Sequence, residues 1–189
     1  MEAAWAIAAG AGLASLAGFR PVIPLVVYMI MARLGWVWGF PVADNPMDFM
    51  ISDIALAALA ALVVFQTMAT HIQALFNIER LIRMPLSVVS AALIMSAALA
   101  GTFPGIGHFA GIPVGVALAL IGFYVYRGLI MVGEGRDPGP ALDMSVLFLS
   151  VLMMLVPPAG YLVLIVVFYL AGRVRRLKKL KYKGLRVLA

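Results

Sequence analysis

The sequence predicts an all-α integral membrane protein with about seven transmembrane segments, some of them short or broken. Two observations carry this prediction. Hydrophobic residues make up 65% and charged residues 12% of the 189 positions, with a mean hydropathy of +1.08, whereas about a quarter of a typical soluble domain is charged. Apolar runs also recur along the chain, many of them close to the roughly 20 residues that a helix needs to cross a bilayer. No cysteine is present, which excludes disulfides, thiolate metal sites and cysteine nucleophiles.

The first predicted span covers residues 3–19. Gly10 and Gly18 lie on one face of this helix with Ala14 between them, at a spacing that lets another helix approach closely. Pro21 then ends the span, because proline disfavours helical geometry at the residue before it and suits the first turn of a following helix.

Two further spans follow in the first half of the chain. Span two covers residues 22–40, and span three covers residues 54–69 behind Ser52 and Asp53, which are suitable N-cap residues. Residues 71–83 have an amphipathic pattern. This segment suits either the membrane surface or an extension of span three.

Two long spans open the second half of the chain. Span four covers residues 85–103, and span five covers residues 110–130. Gly107, Gly111 and Gly115 recur at four-residue spacing where span five begins. This spacing predicts close contact with a neighbouring helix.

The last apolar stretch, residues 141–172, is too long for one span. As a single helix it would measure about 48 Å, against a hydrocarbon core of roughly 30 Å. Pro157 and Pro158 lie in its middle. We therefore predict two short segments, residues 142–156 and 160–171, joined by a turn.

A ten-residue pattern occurs twice and predicts an inverted repeat. Residues 14–23 and 97–106 are identical at six of ten positions, and each copy ends an apolar run with a glycine followed by a proline. An odd number of predicted spans separates the copies, so they run in opposite directions. We predict a three-plus-three repeat, with repeat one at about residues 3–70, repeat two at about residues 85–156 and an extra span at about residues 160–172.

Basic residues are concentrated at the end of the chain. The last 17 residues carry eight basic side chains and no acid, whereas the preceding 172 residues carry eight acids and six arginines. Because basic residues favour the cytoplasmic side, we predict seven crossings with a basic cytoplasmic tail at residues 173–189. Anionic lipid head groups are its expected partners, and nucleic acid is the less favoured alternative. The predicted lipid-anchoring residues are Arg173, Arg175, Arg176, Lys178, Lys179, Lys181 and Lys183.

Arg20 is the leading candidate for a binding residue. It lies at the break after span one, where the positive end of the next helix also lies, and this combination suits an anion or a phosphate head group. The predicted topology brings Asp143 to the same cytoplasmic end, and Arg33 and Asp53 to the outer end. An ion pair is therefore predicted as possible at each end, Arg20 with Asp143 and Arg33 with Asp53. A structural tether is an equal alternative for Arg20 and the favoured one for Arg33 and Asp53. The predicted substrate-binding set is Arg20, Gly18, Pro21, Gly101, Pro104 and Asp143.

No arrangement for acid-base, nucleophilic or metal chemistry stands out. His71 and His108 fall on opposite sides of the membrane in the predicted topology, which argues against a shared metal site. The serines of span four have no evident base near them. We therefore predict no enzyme activity, no metal and no cofactor.

Five short segments together resemble one known family. They are Gly18-Phe19-Arg20-Pro21, Ile23-Pro24-Leu25, Ala32-Arg33-Leu34-Gly35, residues 137–143, and the run from Pro157 into residues 173–179. The pattern looks like a family of small bacterial membrane proteins catalogued only as a domain of unknown function, which implies a bacterial plasma (inner) membrane location. The family usually shows acids in and after its third span, where this chain has Gln66, Thr70 and His71. No activity and no acid-based mechanism are therefore carried over.

Two functions remain open. The first is a small membrane transporter or channel for an ion or small solute, with an anion suggested by Arg20 and a site at the broken ends of spans one and four. The second is a non-transporting membrane assembly or lipid-organising partner whose small-residue faces bind other helices. A membrane enzyme acting on lipid is a weaker third alternative. We expect a homo-oligomer, because seven short spans enclose little interior.

Overall fold

A computed structural model of the chain describes residues 2–35, 48–69, 73–103, 106–132 and 139–185. Within these ranges the protein is helical and has no strand, which confirms the all-α class. A short 3₁₀ helix, Asp48–Ile51, precedes the third of seven α-helices found there. The helices are α1 (Glu2–Ala17), α2 (Val22–Arg33), α3 (Asp53–Ala69), α4 (Gln73–Thr102), α5 (Gly107–Val132), α6 (Gly139–Leu155) and α7 (Ala159–Leu185).

Two of these helices contain long apolar stretches. The stretches are Leu81–Thr102 in α4 and Gly107–Met131 in α5, and both are long and apolar enough to cross a membrane. The two helices form an antiparallel hairpin. An added Cβ at Gly107, Gly111 or Gly115 would meet the α4 backbone at Leu99, Ser96 and Ala91 respectively. The close contact predicted for these three glycines is therefore made with α4.

Helix α1 lies at the centre of the bundle. Every residue at positions 6–17 except Ile7 is buried, because α2, α4, α5, α6 and α7 all contact this helix. Its sequence is almost entirely alanine, glycine and leucine on all sides, which is typical of a helix covered all round. The small side chains let the surrounding backbones come close, as where an added Cβ at Gly10 would lie 2.5 Å from the Ala98 Cβ.

Residues 73–83 do not form a separate surface helix or an extension of α3, and residues 71 and 72 of the predicted segment lie outside the described residues. From Gln73 onward the segment forms the first turns of α4, and Pro85, the predicted start of span four, lies inside this helix. Pro85 cannot donate a hydrogen bond to the carbonyl four residues earlier. The helix continues through it because packing against α5 and α1 stabilises the turns on either side.

The last apolar stretch is divided as predicted. Helix α6 ends at Leu155, Pro157 and Pro158 form the turn, and α7 begins at Ala159. Helix α7 then continues to Leu185, so the first part of the basic tail prolongs the same helix. Helix α2 ends at Arg33 and is followed by a turn at Leu34 and Gly35, where Gly35 has a φ of 69°, so the helix stops before the predicted end of span two. Residues 36–40 of that span lie outside the described residues.

Candidate functional site

The break between α1 and α2 presents Arg20 at the edge of the buried core. Helix α1 ends in a tight turn, in which the backbone N–H groups of Phe19 and Arg20 both donate to the Leu16 carbonyl, at 2.9 and 3.1 Å. Pro21 then starts α2 with a φ of −65°, a value that already suits a helix. The turn and the proline of the repeated pattern thus form the break, and Arg20 between them is held in a defined place.

Arg20 is paired with the first turns of α6. Its Nε forms an ion pair with Asp143 Oδ1, and its Nη2 donates to the Gly139 carbonyl at 3.5 Å. The Arg20 side chain is 6% exposed, whereas that of Asp143 is 39% exposed. The pair therefore reaches water on the carboxylate side. It ties the α1–α2 break to α6, and Asp143 balances the charge of a nearly buried guanidinium.

The break also packs directly on α5. An added Cβ at Gly18 would lie 2.5 Å from both the Ala119 carbonyl oxygen and the Phe123 backbone nitrogen. Both are backbone atoms that cannot rotate away, so no other residue fits at Gly18 unless the helices move apart. Pro21 is fully buried beside it. Gly18 and Pro21 therefore shape the break, and Arg20 and Asp143 carry its charge.

The second copy of the repeated pattern does not join this site. Gly101 is half-buried in the last turn of α4, near the start of α5 at Gly107. Gly18 instead touches Gly122, which is 15 residues further on, or about 22 Å along α5. Antiparallel helices carry their C-terminal ends to opposite ends of a bundle, so Gly101 is not brought to Arg20. Pro104 lies outside the described residues.

Arg33 and Asp53 join the end of α2 to the start of α3. Arg33 Nη1 lies 2.5 Å from Asp53 Oδ1, and the two side chains are 51% and 85% exposed. A pair this open to water contributes at most about 1 kcal/mol to stability. Its geometry is that of a surface tether.

A second buried ion pair lies on α4, at residues that the sequence analysis did not single out as a pair. Arg83 Nε is 2.6 Å from Glu79 Oε1, and both side chains are less than a tenth exposed. The Arg83 guanidinium also lies 4.7 Å from the centre of the Tyr126 ring on α5, a cation–π contact. Opposite charges four residues apart on a helix are the sequence signal that predicts such a pair.

This pair begins a polar line on the buried face of α4. Glu79, Arg83, Ser87 and Ser90 follow one another at helical spacing, and all four are buried. The Ser87 hydroxyl donates to the Arg83 carbonyl at 2.8 Å. Among the residues that the structure describes, the Ser90 hydroxyl has no hydrogen-bond partner. The line extends polar groups from one end of α4 toward the middle of the bundle.

The Arg20–Asp143 pair and the Glu79–Arg83 pair lie at the same end of the bundle. Gly18, which precedes Arg20 by two positions, touches Phe123 on α5. Arg83 covers Tyr126, which is about one helical turn further along α5. The charge of Arg20 and the charge of Arg83 are thus held beside neighbouring turns of one helix.

The remaining predicted residues are placed as follows. Arg173, Arg175 and Arg176 are exposed on α7. Lys178, Lys179, Lys181 and Lys183 lie on the same helix, and their side chains are outside the described part of the structure. His71 lies outside the described residues, and the His108 ring packs on that of Phe109 with 4.0 Å between ring centres. In the described ranges no three histidine, aspartate or glutamate side chains come together in a way suited to a metal ion.

Comparison with known proteins identifies the family of this chain. A family model described as "Domain of unknown function (DUF4126)" matches residues 7–135. The chain belongs to the DUF4126 family. This confirms the resemblance that the short segments indicated. The DUF4126 match includes Arg20 and the Glu79–Arg83 pair but ends before Asp143, so the partner of Arg20 lies beyond the matched range. Searches of curated proteins and of solved structures found no match.

Proposed function

We propose that this chain is an integral membrane protein that moves an ion or small solute, with an anion as the favoured substrate. The observation that carries the proposal is the Arg20–Asp143 pair, in which a nearly buried arginine at a helix break faces a half-exposed carboxylate. Ionised side chains are costly within a membrane domain and are retained mainly where they pair or act on a substrate. The apolar composition and the two long apolar helices support the membrane location.

In this proposal Asp143 occupies the position of the substrate. A guanidinium binds a carboxylate or a phosphate through charge-assisted hydrogen bonds, and the same atoms cannot fully bind both at once. An anion that enters from the water beside Asp143 takes its place on Arg20, and the carboxylate turns toward solvent. When the anion leaves, the pair forms again. Asp143 therefore keeps Arg20 neutralised between transport events and sets the affinity that a substrate has to exceed.

Flux through liposomes tests the role of the pair. Purified protein is expected to pass radiolabelled chloride or inorganic phosphate down a gradient. Arg20→Gln is expected to reduce that flux at least about tenfold, because losing a charged hydrogen-bond partner costs roughly 1.5–3 kcal/mol. Asp143→Asn is expected to lower the anion concentration that gives half-maximal flux, because the internal competitor loses its charge.

The exposed pair supplies the matched control. Arg33→Gln and Asp53→Asn remove the same chemical groups at a surface tether, so flux should stay within about twofold of the native value. Each variant is compared as a monodisperse preparation of equal reconstituted amount, and Arg20→Lys is added if Arg20→Gln does not fold. Native flux in Arg20→Gln, or a loss of flux in Asp143→Asn equal to that in Arg20→Gln, would contradict anion competition.

The proposed topology places seven crossings in a bacterial plasma membrane, with the C-terminus in the cytoplasm. In support, the last part of α7, from Arg173 onward, carries many basic residues and no acidic residue, which suits anionic lipid on the cytoplasmic face. Because the native chain has no cysteine, single cysteines at Asp48 and Arg136 report their sides directly. We expect an impermeant maleimide to label them from opposite sides of right-side-out and inverted vesicles. Labelling from the same side would rule out seven crossings.

A second candidate is a non-transporting membrane partner, built as a homo-oligomer or in contact with other membrane proteins. The observation that favours it is that Asp143 already satisfies the arginine at the break. Tight backbone contacts at Gly18 and Gly122 also fill the centre of the bundle. Silent liposomes across chloride, phosphate, sodium, potassium and proton gradients would favour this candidate over transport.

A further inference from the structure

Three helices of the bundle share one short length. The apolar part of α6, from Met144 to Leu155, is about 18 Å long, and that of α7, from Ala159 to Gly172, is about 20 Å long at a rise of about 1.5 Å per residue. An ordinary hydrocarbon core is roughly 30 Å thick. These helices are therefore shorter than the layer that they have to cross.

Helix α2 gives the same length independently. Its two ends are marked by ion pairs, Arg20 with Asp143 at one end and Arg33 with Asp53 at the other. The two arginines are 13 residues apart, which corresponds to about 20 Å. The charged groups at the two ends of α2 thus enclose an apolar layer, and its thickness matches the apolar lengths of α6 and α7.

The outward surface of α6 and α7 has the composition of a lipid contact. Large apolar side chains are exposed along both helices, at Met144, Leu147, Phe148, Leu155, Val156, Leu162, Ile165, Val166 and Phe168. Exposed Tyr169 and the exposed arginines from Arg173 onward follow them on α7, which is the aromatic and basic border found where lipid tails meet water. At the opposite end the Tyr161 hydroxyl donates to the Ala4 carbonyl at 2.9 Å beside the Pro157-Pro158 turn.

From these three lengths we infer that the protein thins the bilayer along α6 and α7, where its lipid partner has a hydrocarbon core of about 20 Å. The inference rests on the membrane location in the proposed function and is independent of transport. Long side chains that reach toward water can extend the apolar length at the Arg173 end. The turn at the other end has the sequence Val156-Pro157-Pro158-Ala159 and no long charged side chain. Local thinning therefore removes the remaining mismatch.

A nitroxide at a single introduced cysteine measures this thickness. Ile165 is exposed near the middle of the apolar part of α7, and Ile165→Cys creates the only thiol in the chain. In liposomes of an eighteen-carbon monounsaturated phosphatidylcholine, the collision rates of the label with oxygen and with a nickel chelate give its depth. We expect about 9–10 Å, against about 15 Å for the labelled centre of a reference single-span peptide in the same lipid. A depth equal to that of the reference peptide would overturn the inference.

A lengthened helix gives a second, internal measurement. Helix α7 continues to Leu185, so the triple change Arg173→Leu, Arg175→Leu and Arg176→Leu extends its apolar part without adding residues. A label at Phe168→Cys should move from a depth of about 7 Å to about 13 Å. The control with lysine at the same three positions should stay at about 7 Å. An unchanged depth in the leucine variant would show that these charges do not set the boundary and would overturn the inference.

A wrong membrane location and an absence of thinning give different experimental results. The labelled protein is first tested for flotation with liposomes and for resistance to extraction at alkaline pH. A chain that is extracted by alkali contradicts the membrane location itself, and with it the thinning. A chain that stays in the membrane but shows the full depth contradicts the thinning alone and leaves the membrane location in place.

Discussion

Replacing Arg83 with methionine is expected to lower the free energy of unfolding by about 3–5 kcal/mol, because it leaves the Glu79 carboxylate buried without its charge partner. Methionine keeps most of the aliphatic length of the arginine, so lost packing contributes little. Removing the guanidinium also ends the cation–π contact with Tyr126, which is worth about 0.5–2 kcal/mol. Unfolding by sodium dodecyl sulfate in mixed micelles, followed by circular dichroism, measures the loss.

A double-mutant cycle separates the charge from the packing. Glu79→Gln alone leaves the Arg83 charge buried, and the double variant Glu79→Gln with Arg83→Met leaves no charge at all. The double variant should therefore be more stable than the sum of the two single losses predicts, by at least about 1–2 kcal/mol. The exposed pair is the control, and Arg33→Met should cost at most about 1 kcal/mol. Additive losses in the Glu79–Arg83 cycle would show that the two side chains are not coupled.

The break at the end of α1 was predictable from local chemistry. Pro21 determines where the next helix begins, through backbone geometry that depends on few neighbours. Gly18 is required instead by the close approach of α5. The turn at Pro157 and Pro158 follows in the same way from proline and from an apolar stretch too long for a single crossing. The charge distribution also indicated which aspartate lay at the same end as Arg20. It also indicated that the two side chains could pair. What it could not give was the burial of Arg20, because burial depends on how α6 packs against α2.

The start of α4 shows why other features were missed. Pro85 has the sequence signal of a helix start, but here tertiary packing against α5 and α1 carries the helix through it. With a helix start predicted at Pro85, Glu79 and Arg83 fall in a segment that suits either the membrane surface or an extension of span three, and neither position requires the two charges to form a buried pair. Their four-residue spacing indicates a pair, but burial is a property of the assembled bundle. The sequence pattern alone does not show it.

The repeated pattern indicates that α1 and α4 run in opposite directions, but it does not show that their C-terminal ends lie far apart. Two antiparallel copies of one helix end carry their breaks to opposite ends of the bundle. The first copy therefore has polar partners, the Asp143 carboxylate and the Gly139 carbonyl, and the second copy, at Gly101, lies at the other end of α5. A single central site would require both helices to break halfway across the bundle. Here α1 and α4 are continuous helices, and each ends at an end of the bundle rather than at its middle.

A tight backbone contact between α1 and α5 predicts the second large effect, in Gly122→Ala. An added Cβ at Gly122 would lie well under 3.0 Å from the Ser15 carbonyl oxygen and 3.1 Å from the Gly18 Cα. Both are backbone atoms of the α1 end, so the strain is relieved only if α1 and α5 separate. Overpacking of this kind costs about 1–3 kcal/mol, which exceeds the gain of about 1 kcal/mol that alanine offers over glycine in a helix.

Gly172→Ala is the matched control, since it makes the same chemical change in α7 at a position with no atom within 4 Å of the added Cβ. It should leave stability unchanged or raise it by up to about 1 kcal/mol. In mixed micelles, Gly122→Ala should unfold at a lower fraction of sodium dodecyl sulfate than the native protein, and Gly172→Ala at the same fraction or a higher one. Moving α1 away from α5 also displaces Arg20 from Asp143, so Gly122→Ala should reduce anion flux more than Gly172→Ala at equal protein amount. If both variants unfold at the same detergent fraction, the contact at Gly122 does not limit how closely α1 and α5 approach.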